Sequence, residues 1–465
     1  MQPSEAVLDF AARLCSGWKY DESSVAAHIA LAFLEISHPK LVHLGPIRST
    51  FRSRRVNCLL CAQPMPLLTE LRMNNNVVLD FLSLRTIIGC AKSTLRRVSL
   101  RCEGESVISA ADLLELNQLD RLEFLLLKGF DFSEENEDHL VQVLTKFGNV
   151  LRELEMHACY FGQLGAEAKI PTKLVLEKLY YGTHEHNAVF LEALLHSSVS
   201  TLSTLGVSVD SAVANYPPAG LRIKRLRVDA YPEPLRFFST SLERLSMRTN
   251  IANLDAYAGH PFPSLARMRV TAADAQKLWD FAPALNALRC KGQLERIDNL
   301  PHQLESFRLR EFREPVNLER LTSIRVLELC PVRCINMESQ IQSRVLTELS
   351  LTSLDFGRDV NAKLTTLLAS NPLLRSLTLI EVRWLSHHIF NDETKTLFFS
   401  QLEYLKIQSD NSECFQSTIF AQSLLEARSP LALTYLSLTD FKVSVLKMYL
   451  AKIKAKNPKI EIERR

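Results

Sequence analysis

The unit Leu-x-x-Leu-x-Leu returns sixteen times along this chain of 465 residues, opening at Leu68, Leu95, Leu122, Leu151, Leu176, Leu202, Ile223, Leu242, Leu265, Leu285, Leu304, Ile324, Leu346, Leu374, Leu402 and Leu433. Conservative apolar replacements fill some positions, as in Val98, Met156 and Phe307. Positions four and six of each copy lie on one face of a short strand, and position one fills the turn that enters it. A lone copy cannot bury that face. Stacking copies side by side buries it, so the chain must fold as an array in which each repeat rests on its neighbours.

The pattern resembles that of leucine-rich-repeat proteins from about residue 64 to 465. The resemblance implies an α/β solenoid of about sixteen repeats, with a parallel sheet lining its concave side. Spacing sets the return path. The first six copies open 25 to 29 residues apart, enough for helices such as 134–147, with Ser133 as N-cap, and 190–196. Repeats across about 202–345 shrink to 19 to 23 residues and carry punctuation such as Pro261-Phe262-Pro263 and Asn299-Leu300-Pro301. Mostly extended or single-turn returns are expected there. The last spacings lengthen again, with helices expected at 362–369 and 415–427.

Residues 1–60 lack the repeat and read as helices over 5–14 and 22–36, the second capped by Asp21, forming a cap or an adaptor-binding module. Leu34, Leu41, Ile47 and Phe51 resemble the second half of an F-box, without its opening Leu-Pro and with Phe51 in place of Trp. Val7, Leu8 and Ala11 are similar to the elongin-binding box of zygotic-defective-type receptors, with Ala11 where that box prefers Cys. Both resemblances imply the same role, a substrate-recognition subunit of a cullin-RING ubiquitin ligase held by a Skp-type or elongin adaptor. The alternatives are a leucine-rich-repeat scaffold without ubiquitin function, or a binder of phosphorylated or acidic ligand or RNA.

Enzymatic chemistry is not expected, because the chain has no Gly-x-x-x-x-Gly-Lys loop, Gly-x-Ser-x-Gly elbow or His-Glu-x-x-His. Cys58 and Cys61 form one Cys-x-x-Cys pair, half of a tetrahedral zinc site. His184-Glu185-His186 and His387-His388 read as solvated loop residues, so neither metal nor cofactor is expected. The ten cysteines are too sparse for a disulfide scaffold. With no signal peptide and no run near the roughly 18 apolar residues of a membrane span, the cytoplasm or nucleus is the expected location.

The net charge of +3 places any basic site locally. Positions three, five and seven point away from the core, and in the five copies from 223 to 310 ten of these fifteen are basic: Arg225, Arg227, Arg244, Arg248, Arg267, Arg269, Arg289, Lys291, Arg308 and Arg310. The same positions of the other eleven copies hold six basic residues among thirty-three. Like charges on adjacent strands repel, so a concave site for an acidic or phosphorylated protein partner is expected. Nucleic acid is the weaker candidate, since the outward positions of these five copies hold no aromatic residue for base stacking, and outward Glu153, Glu155, Glu328 and Glu348 flank the basic run. Tyr180, Tyr404 and Tyr435 are expected outward on the wings.

Overall fold

A computed structural model describes residues 43–44, 68–72, 81–102, 108–132, 137–161, 170–183, 188–208, 218–229, 238–247, 261–294, 300–313, 322–333, 335–336, 341, 343–355, 360–382, 400–408, 421–422, 425, 432–439 and 443–463. The chain divides into two compact units, Met1–Phe238 and Ser239–Arg465.

In the first unit the strands are β1 (His43–Leu44), β2 (Glu70–Arg72), β3 (Arg97–Arg101), β4 (Phe124–Lys128), β5 (Asp131–Phe132), β6 (Glu153–Phe161), β7 (Lys178–Thr183), β8 (Thr204–Ser208) and β9 (Arg225–Val228). All their pairings are parallel, and position four stays in register as Leu71, Val98, Leu125, Leu154, Leu179, Leu205 and Leu226. The returns carry α1 (Phe81–Cys90), a 3-10 turn (Ala111–Gln118), α2 (Glu137–Phe147) and α3 (Ala188–Ser197). Each helix buries one stripe at helical spacing, for example Leu140, Val143, Leu144 and Phe147 of α2.

The second unit continues the rule through β10 (Arg244–Met247), β11 (Arg267–Thr271), β12 (Ala287–Lys291), β13 (Ser306–Arg310), β14 (Val326–Cys330), β15 (Ile335–Asn336), β16 (Glu348–Thr352), β17 (Leu354–Asp355), β18 (Ser376–Ile380), β19 (Tyr404–Gln408), β20 (Tyr435–Thr439) and β21 (Glu461–Glu463). Here position four runs Leu245, Met268, Leu288, Phe307, Leu327, Leu349, Leu377, Leu405 and Leu436. β15 and β17 form a separate parallel pair. The helices are α4 (Ala272–Leu278), α5 (Val360–Ser370) and α6 (Val443–Lys456), with a 3-10 turn at Trp279–Phe281.

At every described copy the residues at positions one, four and six are at most 3% exposed, which fixes the phase of the repeat. The expected α/β leucine-rich-repeat solenoid is the fold. A shared turn recurs in six of the copies. Position eight is left-handed at Gly129, Ala158, Gly292, Glu311, Ser353 and Glu381, and at all but Gly292 position nine enters the core, burying Phe130, Cys159, Phe312, Leu354 and Val382, whereas Gln293 is half-buried. That position commonly holds Asn or Cys in such repeats; here it is mostly apolar.

Three features depart from expectation. β1 lies inside the segment assigned to a helical module and pairs in parallel with Glu70 and Leu71, because Leu41-x-x-Leu44 keeps the first half of the repeat. The expected helices at 5–14 and 22–36 lie outside the described residues. β21 adds a strand beyond the sixteen copies, pairing with Tyr435–Ser437 through Ile462. In the short repeats, the return after β11 is helical, because Thr271 and Asp274 form a reciprocal cap: Thr271 Oγ1 donates to Asp274 Oδ2 at 2.6 Å and accepts from the Asp274 N–H at 3.3 Å. Thr271 is therefore buried rather than outward.

Cys159 sits in this core, and burial pushes its thiol up to about 12. Thiolate is the reactive form, so Cys159 is expected to resist iodoacetamide at pH 8 in the folded protein and to alkylate only in denaturant, as read by peptide mass spectrometry.

Candidate functional site

Register decides what the outward residues meet. In the second unit Arg244 lies beside Arg267, and position five runs Ser246, Arg269, Arg289, Arg308 and Glu328 across β10 to β14. Position seven places Lys291 beside Arg310. Strands lie roughly 4.8 Å apart, so Arg269, Arg289 and Arg308 form a row about 10 Å long on the open face of the sheet. Arg248 lies outside the described residues.

The row is neutralised at one end. Glu328 receives Arg310, whose Nε donates to Oε1 at 2.6 Å, and Arg308, whose Nη1 lies 3.4 Å from Oε2. Lys291 pairs with Glu311 at 2.7 Å. Among the described residues no carboxylate lies within ion-pair distance of Arg244, Arg267, Arg269 or Arg289. Burial, and next the charges of Arg310 and Arg269, push the Arg289 guanidinium below the ordinary arginine range. Its neighbours on this face are thus predominantly cations.

Arg225 and Arg227 belong to the first unit and face different surroundings. Arg225 is exposed. Arg227 is committed to Asp229 at 3.0 Å and lies 4.7 Å from the centre of the Tyr180 ring. Tyr180 donates its hydroxyl to Asp229 at 3.0 Å and stacks with His157 at 4.2 Å. Burial, with the Asp229 charge second, raises the Tyr180 phenol. The ring is half-buried because it leans over the next strand: a Cβ on Gly206 would stand 2.4 Å from Tyr180 Cδ2. Gly206→Ala should therefore displace Tyr180, break its bond to Asp229 and cost about 1–3 kcal/mol, read in thermal unfolding and the near-ultraviolet tyrosine signal.

The flanking acids are mostly paired. Glu153 meets Lys178 at 2.9 Å, and Glu155 meets His157 at 3.2 Å. The His157 hydrogen bond holds the Glu155 carboxyl below its usual range. The stabilisation this brings is present above the ordinary carboxylate range and is lost as pH falls through the lowered value. Tyr404 and Tyr435 stack face to face at 4.3 Å. The pairing of Tyr180 with Gly206 was missed from sequence, although a large and a small residue at position five of successive copies was a readable signal. Glu328 was read as a flank, whereas it holds two of the arginines.

Among the described residues no group of three or more metal-ligating side chains occurs, and no helix is long and apolar enough to cross a membrane. Cys58, Cys61, His184, Glu185, His186, His387 and His388 lie outside the described residues, as do Val7, Leu8, Ala11, Leu34, Leu41, Ile47 and Phe51.

Within each unit the copies stand in register with their apolar positions buried, which is the fold of a leucine-rich-repeat solenoid. No family model matches the chain, and no curated protein matches it. Among solved structures it is similar to CroV588, described as a novel circular leucine-rich-repeat protein, with 14% identity and a TM-score of 0.38 over 80% of this chain and 50% of that one. The chain thus spans half the length of that protein. It is also similar to the yeast Rad7 and Elc1 complex, with 16% identity and a TM-score of 0.35 over 99% of this chain and 92% of that one.

Proposed function

We propose that the protein is a non-enzymatic interaction receptor that holds an acidic protein partner on the open face of its second unit. One observation carries this: Arg267, Arg269 and Arg289 stand on adjacent, rigidly paired strands with no carboxylate within ion-pair distance among the described residues. Repulsion between them destabilises the free protein slightly, and an anion relieves it. Charge reversal at Arg267 and Arg269 is expected to remove the partners recovered from cells, while circular dichroism and melting temperature stay near those of the parent chain. Unchanged recovery would sink the reading.

The finer reading is a substrate-recognition subunit of a cullin-RING ubiquitin ligase. Its support is in the sequence, in the partial elongin-binding box at Val7, Leu8 and Ala11 and the partial F-box at Leu34, Leu41, Ile47 and Phe51. The two boxes separate in one experiment. Loss of an elongin adaptor on Leu8→Glu, or of a Skp-type adaptor on Phe51→Glu, identifies the working box. A parent chain that recovers neither adaptor nor cullin leaves a scaffold.

A further inference from the structure

We propose that Arg269, Arg289 and Arg308 form a phosphoryl-binding site that selects a phosphorylated residue of the partner over a plain Asp or Glu. The inference rests on the reading above, that the open face of the second unit holds an acidic protein.

Charge balance comes first. The row and its immediate surroundings bring together Arg267, Arg269, Arg289, Lys291, Arg308 and Arg310, opposed by Glu328 and Glu311. Those two carboxylates engage Lys291, Arg308 and Arg310, so the uncompensated charge centres on Arg289, which is partly buried and feels Arg310 and Arg269 more strongly than Glu328. One carboxylate brings a single negative charge and two oxygens, enough for one guanidinium fork. A phosphoryl group brings a charge of about −1.5 to −2 and three strong acceptor oxygens. It can take charge-assisted hydrogen bonds from forks on three successive strands, which a carboxylate cannot.

Geometry sets the limits. The row is about 10 Å long at the roughly 4.8 Å strand spacing, the reach of one phosphoryl group contacted from both sides by long arginine side chains. Glu328, only 14% exposed at its side chain, closes the far end. Exposed Glu348 follows on the next strand. A polyanion extended past the row would run into both. The described outward positions of β10 to β13 offer no aromatic ring for a base, so a compact anion on a protein fits better than RNA.

The test uses the full chain and arrayed peptides of degenerate sequence with a fixed central residue, phosphoserine, phosphothreonine or Glu, beside a single-stranded oligouridine. Phosphorylated pools should bind at least about tenfold more tightly than the Glu pool, and Arg289→Gln or Arg269→Gln should remove most of that difference. Lys406→Gln, on β19, should leave it unchanged. Glu328→Gln should tighten phosphopeptide binding by roughly threefold to tenfold, because it releases Arg308 and Arg310 for the phosphoryl oxygens; a purely structural role for Glu328 would weaken binding instead, and that result overturns the proposal. Equal binding of Glu and phosphorylated pools also overturns it while leaving the acidic-partner reading standing. Binding of oligouridine alone, lost with the same two arginines, overturns it in favour of nucleic acid.

Discussion

Asn371→Leu is expected to destabilise the second unit by about 3–6 kcal/mol, since it strips the partners from three buried backbone groups at once. The Asn371 side chain is fully buried. Its Oδ1 accepts from the Ser343 N–H at 2.8 Å, and its Nδ2 donates to the carbonyls of Ile341 and Leu367 at 2.9 and 2.6 Å. Ser343 in turn donates its hydroxyl to the carbonyl of Ile324 at 3.1 Å, so one polar chain stitches three successive repeats. Leu matches the volume and brings no hydrogen bond. Urea unfolding reads the loss, and amide exchange at Ser343 should quicken with it. A loss below about 1 kcal/mol would mean that the three groups find other partners.

Phe307→Ala should cost roughly 3–5 kcal/mol, the usual range for emptying a buried aromatic site. Phe307 is fully buried and lies in register between Leu288 and Leu327, so the void opens a layer shared by three strands. A repeat array is stabilised largely by nearest-neighbour interfaces. Hydrogen exchange should therefore accelerate first in β12, β13 and β14, with less change in β19 and β20. Uniform acceleration through the unit would argue that the array unfolds as one block. The variant also separates folding from binding, because Arg308 and Arg310 on the same strand point the other way.

Which parts of this were legible follows from the range of the physics. Burial at positions one, four and six recurs within each copy, and a local pattern is enough to place sixteen strands and to phase Arg267, Arg269, Arg289 and Arg308 outward. β1 escaped because it keeps only Leu41 and Leu44 of the pattern, and β21 because Ile462 alone of its positions one, four and six is apolar. The helix after β11 escaped because a 20-residue spacing looked too short, although Thr271-x-x-Asp274 was there as a capping signal. Partnerships between copies were harder. That Glu328 would hold Arg308 and Arg310, that Tyr180 would cross Gly206 to reach Asp229, and that Asn371 would serve the preceding repeat all depend on side-chain reach across a ladder. Residue spacing alone does not carry that information.

The left-handed turn at position eight has a consequence for synthesis. Its N–H repeatedly donates forward: Gly129 to the carbonyl of His157, Gly292 to Arg310, Glu311 to Cys330, Ser353 to Ile380 and Glu381 to Gln408. The acceptor lies 18 to 28 residues later in the chain. As the chain leaves the ribosome, each of these turns waits for the following repeat before its backbone is satisfied, so the growing end carries one unfinished turn that the next repeat completes. A ribosome that pauses between copies holds that turn open for the length of the pause.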